Sequence, residues 1–539
     1  MKKIISILTF MFLVNMCLAQ NVQVTWGPEL KDPKKTQITD ILGRNEKYFF
    51  ALRMQVRGAD RGNYIIDCYD NKTLDLLYSR EIEEELKDRV KDAGEMKAKN
   101  LNIEQVFMVE DKIILLVSYY DTKADKKTLF ASHVKQSDGS LSGELMKVDE
   151  ILDVKKSSKG AFSYATSTDT TKLLIYHDEV FDKNKPGRYA AKLYSSDLKL
   201  IWSKSFEMSQ KDRDVTLGNF LVDKEGVFYM LAKLTETKKE MKEKGKEKGV
   251  KSPNYHYEIL AYLPSKDEVK VYDLTTEKKF ITDIRFELSK DGNLTLAGFY
   301  SDKNKNVKGG GARWDKATGA IYMKINRETK EVVTSKFKEF DRNVFEETIK
   351  KKKKADKAEE LAQFDIDDFI FRDDGGMVMI SEQFYIQVVC TTDPKTGATR
   401  CTYYYHYDNL LVTNFNPDGS VKWMKIIPKY QVTANDGGYY LSYLTLVNDD
   451  KLMFVYNDDP KNATLMKIQD GLRPMMRPKK SQTMLVVLDQ NGTFKKQTLF
   501  SNKELAVICR PKICNQTGEH EAYIFAEKGS AYRFGKLKF

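Results

Sequence analysis

The sequence predicts an all-β protein in which one unit of four antiparallel strands recurs along 539 residues. Three observations predict it. Apolar and polar residues alternate with period two over short runs, the pattern of half-buried strands. Tight polar turns such as 289–292 (SKDG) and 327–330 (RETK) separate these runs in constant phase,. The 29 Tyr and 28 Phe are residue types that favour strands,.

The clearest unit is residues 280–340. It reads FITDIRFEL, a turn, NLTLAGFYS, a long polar loop, then AIYMKI and EVVTSKFKEF around a second turn. We name its strands a, b, c and d. The a–b turns then fall at 44–47, 110–112, 168–171, 223–226, 289–292, 372–375, 448–451 and 516–519. The c–d turns fall at 71–73, 137–140, 196–199, 265–268, 327–330, 417–420 and 490–493. A fixed phase of this kind marks a repeat architecture.

Ahead of the repeats, Lys2 and Lys3 precede the apolar run 4–14, and Cys17, Leu18 and Ala19 stand before a cleavage position. This predicts a signal peptide over residues 1–19, with 20–539 as a single exported domain. Segments 81–97 and 344–363 are rich in helix formers and predict short helical insertions between a d strand and the next a strand,. The second carries five consecutive lysines, Lys350 to Lys354.

The eighth unit, 505–539, offers only three strands. The missing d strand is predicted at the other terminus, where VQVTW (22–26) resembles the d strands holding Trp202 and Trp423. Pairing it with 531–539 closes the array and removes its open edges. The expected fold is an eight-bladed β-propeller, with seven blades as the alternative. In that architecture the mature chain resembles degenerate propellers exported by Bacteroidetes-type Gram-negative bacteria. The resemblance implies a periplasmic location (alternatively secreted or surface-associated) and a role in envelope machinery, such as an accessory of type IX secretion or gliding.

A propeller puts a–b and c–d turns on one face and b–c and d–a connections on the other. The long insertions therefore gather on the second face, where binding surfaces of repeat proteins commonly lie. The whole chain carries +11, and the seven b–c loops alone (53–63, 121–127, 178–188, 235–254, 301–318, 383–405 and 457–480) carry +13. A basic face attracts acidic partners, so an envelope protein or an anionic glycan is expected and nucleic acid is not. Two loops supply candidate contact residues. One is glycine-rich and holds Arg313 and Trp314; the other holds Met466, Arg473, Met475, Met476 and Arg477, adaptable apolar groups flanked by arginines,.

Cys390 and Cys401 lie nearly symmetrically about 393–397 and predict a disulfide across a hairpin,. Cys509 and Cys514 are close enough in sequence to close a small loop, leaving Cys68 single in a c strand. The five histidines are scattered, and no metalloprotease, nucleophile-elbow or phosphate-loop motif occurs,. The expectation is an interaction scaffold without catalytic residues, cofactor or metal. The alternative is a glycan-active hydrolase or lyase with its site at the channel mouth.

Overall fold

Each repeat folds into its own antiparallel sheet. The computed structural model describes residues 22–57, 60–92, 100–154, 160–179, 184–235, 255–276, 279–302, 316–449 and 451–539. Among these, six sheets have four strands, one has five and one has six, and a two-stranded ladder joins Lys316–Ala317 to Leu361–Ala362. In chain order the eight larger sheets occupy residues 36–81, 101–151, 162–211, 215–273, 279–339, 364–434, 444–501 and 508–538, the last taking in 23–31. In the six four-stranded sheets the strands lie side by side in sequence order, the arrangement of propeller blades; the sixth sheet adds a strand beside its c strand and the eighth takes in the N-terminal strands,.

The termini meet as the sequence predicts. Gln23–Trp26 runs antiparallel to Ala531–Lys538, with Gln23 opposite Lys538 and Trp26 opposite Gly535. Leu30–Lys31 continues along the same edge. The first strand of this sheet comes in two pieces, Ile508–Cys509 and Asn515–Gly518.

Core residues show which sheets pack together. Separate apolar clusters join sheets one and two, two and three, three and four, four and five, five and six, and six and seven. The largest joins seven, eight and one: Leu446 and Val455, then Tyr523 and Phe534, then Phe49 and Tyr69. There Phe49 stacks on Tyr69 at 4.7 Å and lies 4.5 Å from Tyr523 and 5.0 Å from Phe534. Polar ties reinforce the contact: Tyr69 and Tyr532 share a 3.0 Å hydroxyl bond, and Arg510 donates to the Ile38 carbonyl at 2.8 Å. The d-strand tryptophans also bridge sheets. Trp202 Nε1 donates to the Gly226 carbonyl and Trp423 Nε1 to the Gln490 carbonyl. Gly492, at φ +78°, leaves room for the Trp423 ring, which a Cβ would approach to 3.0 Å,.

Inner strands share a further device. Register shifts occur between Ile38 and Asp40, Ile103 and Gln105, Gly218 and Phe220, Ile281 and Asp283, and Ile366 and Asp368. Each is a bulge with one extra residue, and the sequence repeats there as ITDI (38–41), ITDI (281–284) and IDDF (366–369),. The aspartate holds the bulge: Asp283 accepts the Ile284 N–H at 3.0 Å and Asp368 the Phe369 N–H at 2.9 Å.

Some expectations need correction. The region 53–63 was expected as a loop, but the strands Tyr48–Arg57 and Asp60–Asp70 run nearly through it. The 383–405 loop is instead an extension of strands b and c, which reach Met377–Thr392 and Thr399–Phe415. Helix 81–97 is seen as Ile82–Asp92, while 344–363 holds two short helices, Arg342–Thr348 and Lys352–Ala355. The signal-peptide region 1–19 lies outside the described residues.

Candidate interaction face

A buried polar network fixes the long-connection side of sheets six, seven and eight. Lys429, fully buried, pairs with Glu382 at 2.6 Å. Its ammonium also donates to the Tyr407 carbonyl at 2.6 Å and to Gln431 Oε1 at 3.1 Å. Glu382 accepts in turn from Ser442 Oγ at 2.7 Å. Gln431 Nε2 donates to the Asn457 carbonyl at 2.7 Å, and Asn457 Nδ2 to the Tyr440 and Cys509 carbonyls at 2.9 and 2.8 Å. Thus three sheets are tied through one d–a connection, residues 428–443.

That connection braces an arm. Gln431–Ala434 pairs with residues 404–407 of the extended c strand, so the projecting hairpin gains a third strand. Cys390 and Cys401 lie directly opposite and form the predicted disulfide near its tip. Ile386, Val388, Val389 and Tyr403 stay exposed on the arm, Val388 at 50%. Residues 385–392 pair only with the c strand among the described residues, leaving their outer edge open. No charge occurs between Glu382 and Asp393. Folded proteins usually blunt such an edge with charge, proline or cover.

The 457–480 segment packs beside the arm. Buried Asn462 donates to the Asp458 carboxylate at 2.7 Å and the Arg473 carbonyl at 2.8 Å, and accepts the Arg473 N–H at 2.9 Å. Gln469 Nε2 reaches the Ile349 carbonyl at 3.1 Å, joining the segment to the helical insertion. Met466, Arg473, Met476 and Arg477 are exposed, Met476 at 57%. Met475 is not a surface residue: it is 1% exposed, because its backbone bonds Tyr430 and Val432 and turns the side chain inward. Lys350–Lys354 are exposed, and the Lys350 ammonium sits 5.7 Å from the Tyr430 ring. Arg313 and Trp314 lie outside the described residues. The arm, the 457–480 segment and the helical insertion therefore form one connected surface with apolar and basic parts.

Cys509 and Cys514 are free thiols 3.8 Å apart, so the small loop they were expected to close is not bonded. Cys68 is single and buried, as read from the sequence.

Beneath the arm, burial pushes Asp408 up to about 7, opposed by Lys429 and by hydrogen bonds from the Gln431 backbone and Tyr385. Glu382 pushes it further up, and His406, itself pushed down by burial, lies 3.9 Å away. A carboxyl with a raised folded pKa contributes stability that is complete below its unfolded value and is lost as pH rises through about 7,. Asp408→Asn is therefore expected to flatten the stability profile between about pH 4 and 7 and to gain on the order of 3 kcal/mol over wild type at pH 8. Urea melts at four pH values check this. Parallel profiles for the two proteins would contradict it.

No protein-family model and no curated protein sequence matches the chain. Among solved structures, the WD40 domain of SCAP from fission yeast is similar over 96% of this chain and 98% of that chain, at 10% identity and TM-score 0.38. An acylaminoacyl peptidase from Pyrococcus horikoshii is similar over 93% of this chain at 8% identity and TM-score 0.34. The chain spans 60% of that peptidase's length. Synechocystis apocarotenoid oxygenase is similar over 89% of this chain and 94% of that chain, at 9% identity and TM-score 0.32.

Proposed function

We propose that the chain is an eight-bladed propeller closed through its termini that acts as an interaction scaffold, docking an acidic protein partner on the face built by the arm, the 457–480 segment and the helical insertion. The observation that carries this is the open, uncharged edge of 385–392, held rigid by a third strand and a disulfide and placed beside a basic patch. An edge of this kind accepts an added strand from a partner, main chain to main chain. The neighbouring lysines and arginines supply long-range attraction to an acidic segment. Among the described residues no helix is long and apolar enough to cross a bilayer. An envelope location, and an accessory role in type IX secretion or gliding, are supported by the predicted signal peptide over residues 1–19 and by the resemblance to exported propellers. An anionic glycan is the competing partner.

Two variants separate the contributions. Val388→Lys puts a charge in the open edge and is expected to speed dissociation of a captured partner. The double change Arg473→Glu, Arg477→Glu is expected to slow association and to weaken its salt dependence. Both sites are exposed, so stability should stay within ~0.5 kcal/mol of wild type. Capture from an envelope extract followed by binding kinetics is the measurement. Equal capture by wild type and both variants would remove this face from consideration. Loss of binding on glycosidase treatment of the extract would favour the glycan.

A further inference from the structure

Between the fifth and sixth sheets lies a cavity of about 270 Å³, separate from the open edge 385–392 of the arm. Its apolar wall includes Phe299, Phe340, Phe364 and Leu361, all buried. The Phe299 ring lies 6.2 Å from Phe340 and 6.5 Å from Phe364, and Phe345 holds Phe340 in an edge contact at 6.1 Å. Two carboxylates, Asp283 and Asp365, complete the lining. They come from the first strands of neighbouring sheets, Lys279–Leu288 and Phe364–Phe371.

Neither carboxylate has an ion pair among the described residues. Arg285 and Lys233 act on Asp283 without pairing with it: Lys233 sits 3.8 Å over the Tyr255 ring, and Arg285 donates to the Ile366 carbonyl at 3.0 Å. Burial pushes the half-buried Asp283 carboxyl up against the opposing pull of Arg285 and Lys233, and partial desolvation with Asp283 beside it pushes the exposed Asp365 up. Three aromatic rings and two carboxylates without an ion pair, Asp283 half-buried and Asp365 exposed, line one small cavity and match the needs of an organic cation. Ring faces attract a cation, and the carboxylates supply its counter-charge. Pockets with apolar walls and a few convergent polar groups are the usual form of small-ligand sites.

We propose that this cavity binds an organic monocation, an ammonium or guanidinium on a short apolar stem, about the size of a lysine or arginine side chain. The carboxylates hold the charged head and the phenylalanines enclose the stem. The site does not depend on the docking face, and the two ideas fail separately.

The test uses the full chain and four probes: n-butylamine, N-acetyl-lysine methyl ester, n-butanol and butyrate, titrated by calorimetry and ligand-observed NMR. Saturable binding of the two cations with millimolar affinity is expected, with n-butanol and butyrate at least about tenfold weaker. Tighter binding of the lysine ester than of butylamine assigns the natural ligand to a peptide side chain, and equal binding to a free amine. Asp365→Asn should weaken the cations about tenfold at an unchanged melting temperature. Asp283 also accepts backbone N–H groups, so its variants can lose stability, whereas Asp365 makes no such bond through its carboxylate. Phe299→Leu should weaken the cations without creating affinity for butyrate. The proposal is overturned if n-butanol or butyrate binds as well as the cations, if neither cation saturates below about 20 mM, or if Asp365→Asn binds them unchanged.

Discussion

Removal of residues 22–31 is expected to leave a chain that expresses but associates. These residues cover the outer edge of Ala531–Lys538, and Val22, Val24, Trp26 and Leu30 pack against the cluster joining sheets seven, eight and one. Four half-buried apolar side chains of this size account for roughly 4 kcal/mol. The larger effect is the bared edge, whose N–H and C=O groups invite pairing with another copy. Size-exclusion chromatography should show oligomers, and thermal melting should fall with strong dependence on protein concentration. Two controls sharpen the reading. A synthetic peptide of residues 22–31 added in trans should restore the monomer. Gly535→Val should reproduce the deletion, because a Cβ there would lie 2.5 Å from Val24 and 2.9 Å from the Trp26 ring. A truncated chain that stays monomeric and melts as wild type would show that the two termini do not carry the closure.

The repeat and the pairing of the two termini were legible because their signals are local. Period-two runs and turns such as SKDG at 289–292 lie within ten residues of one another, and Trp26 marks the detached strand by likeness to Trp202 and Trp423. The inner-strand bulge was not read from the sequence; the repeated ITDI and IDDF gain their meaning only once the structure shows each aspartate bonding the very next N–H. The arm was harder to read. FYIQVVCTT is apolar or uncharged on both faces, so alternation gives no sign of where the sheet ends and the projection begins. Met475 shows the same limit: its burial is decided by the backbone of Tyr430, 45 positions earlier, and no pattern within 457–480 records that contact. Asp283 and Asp365 are brought to one cavity by strands from different repeats, a meeting that spacing alone cannot reveal.

Lys429→Met is expected to be the most damaging single substitution on the long-connection side. The lysine is fully buried, and its removal takes away the ion-pair partner of Glu382, leaving Ser442 as its hydrogen-bond partner and Lys512 as the remaining nearby cation. Breaking a buried pair from one side costs about 3–5 kcal/mol, since the surviving charge stays in a poor solvent. Here the loss should also be spatially selective. The Lys429 ammonium bonds the Tyr407 carbonyl and Gln431, which stand at the point where the bracing strand meets the arm. Amide exchange should therefore accelerate at residues 404–407 and 431–434 more than in the second or third sheet. Lys429→Met combined with Glu382→Gln removes both charges and should recover much of the lost stability, because the unpaired carboxylate is the main penalty. If the arm is the docking element, the single variant should also bind a captured partner more weakly, while the double variant should regain affinity as the brace re-forms. Recovery of stability without recovery of binding would separate the brace from the interaction. Uniform exchange across all sheets would show that the Lys429 network supports the whole array and not the arm in particular.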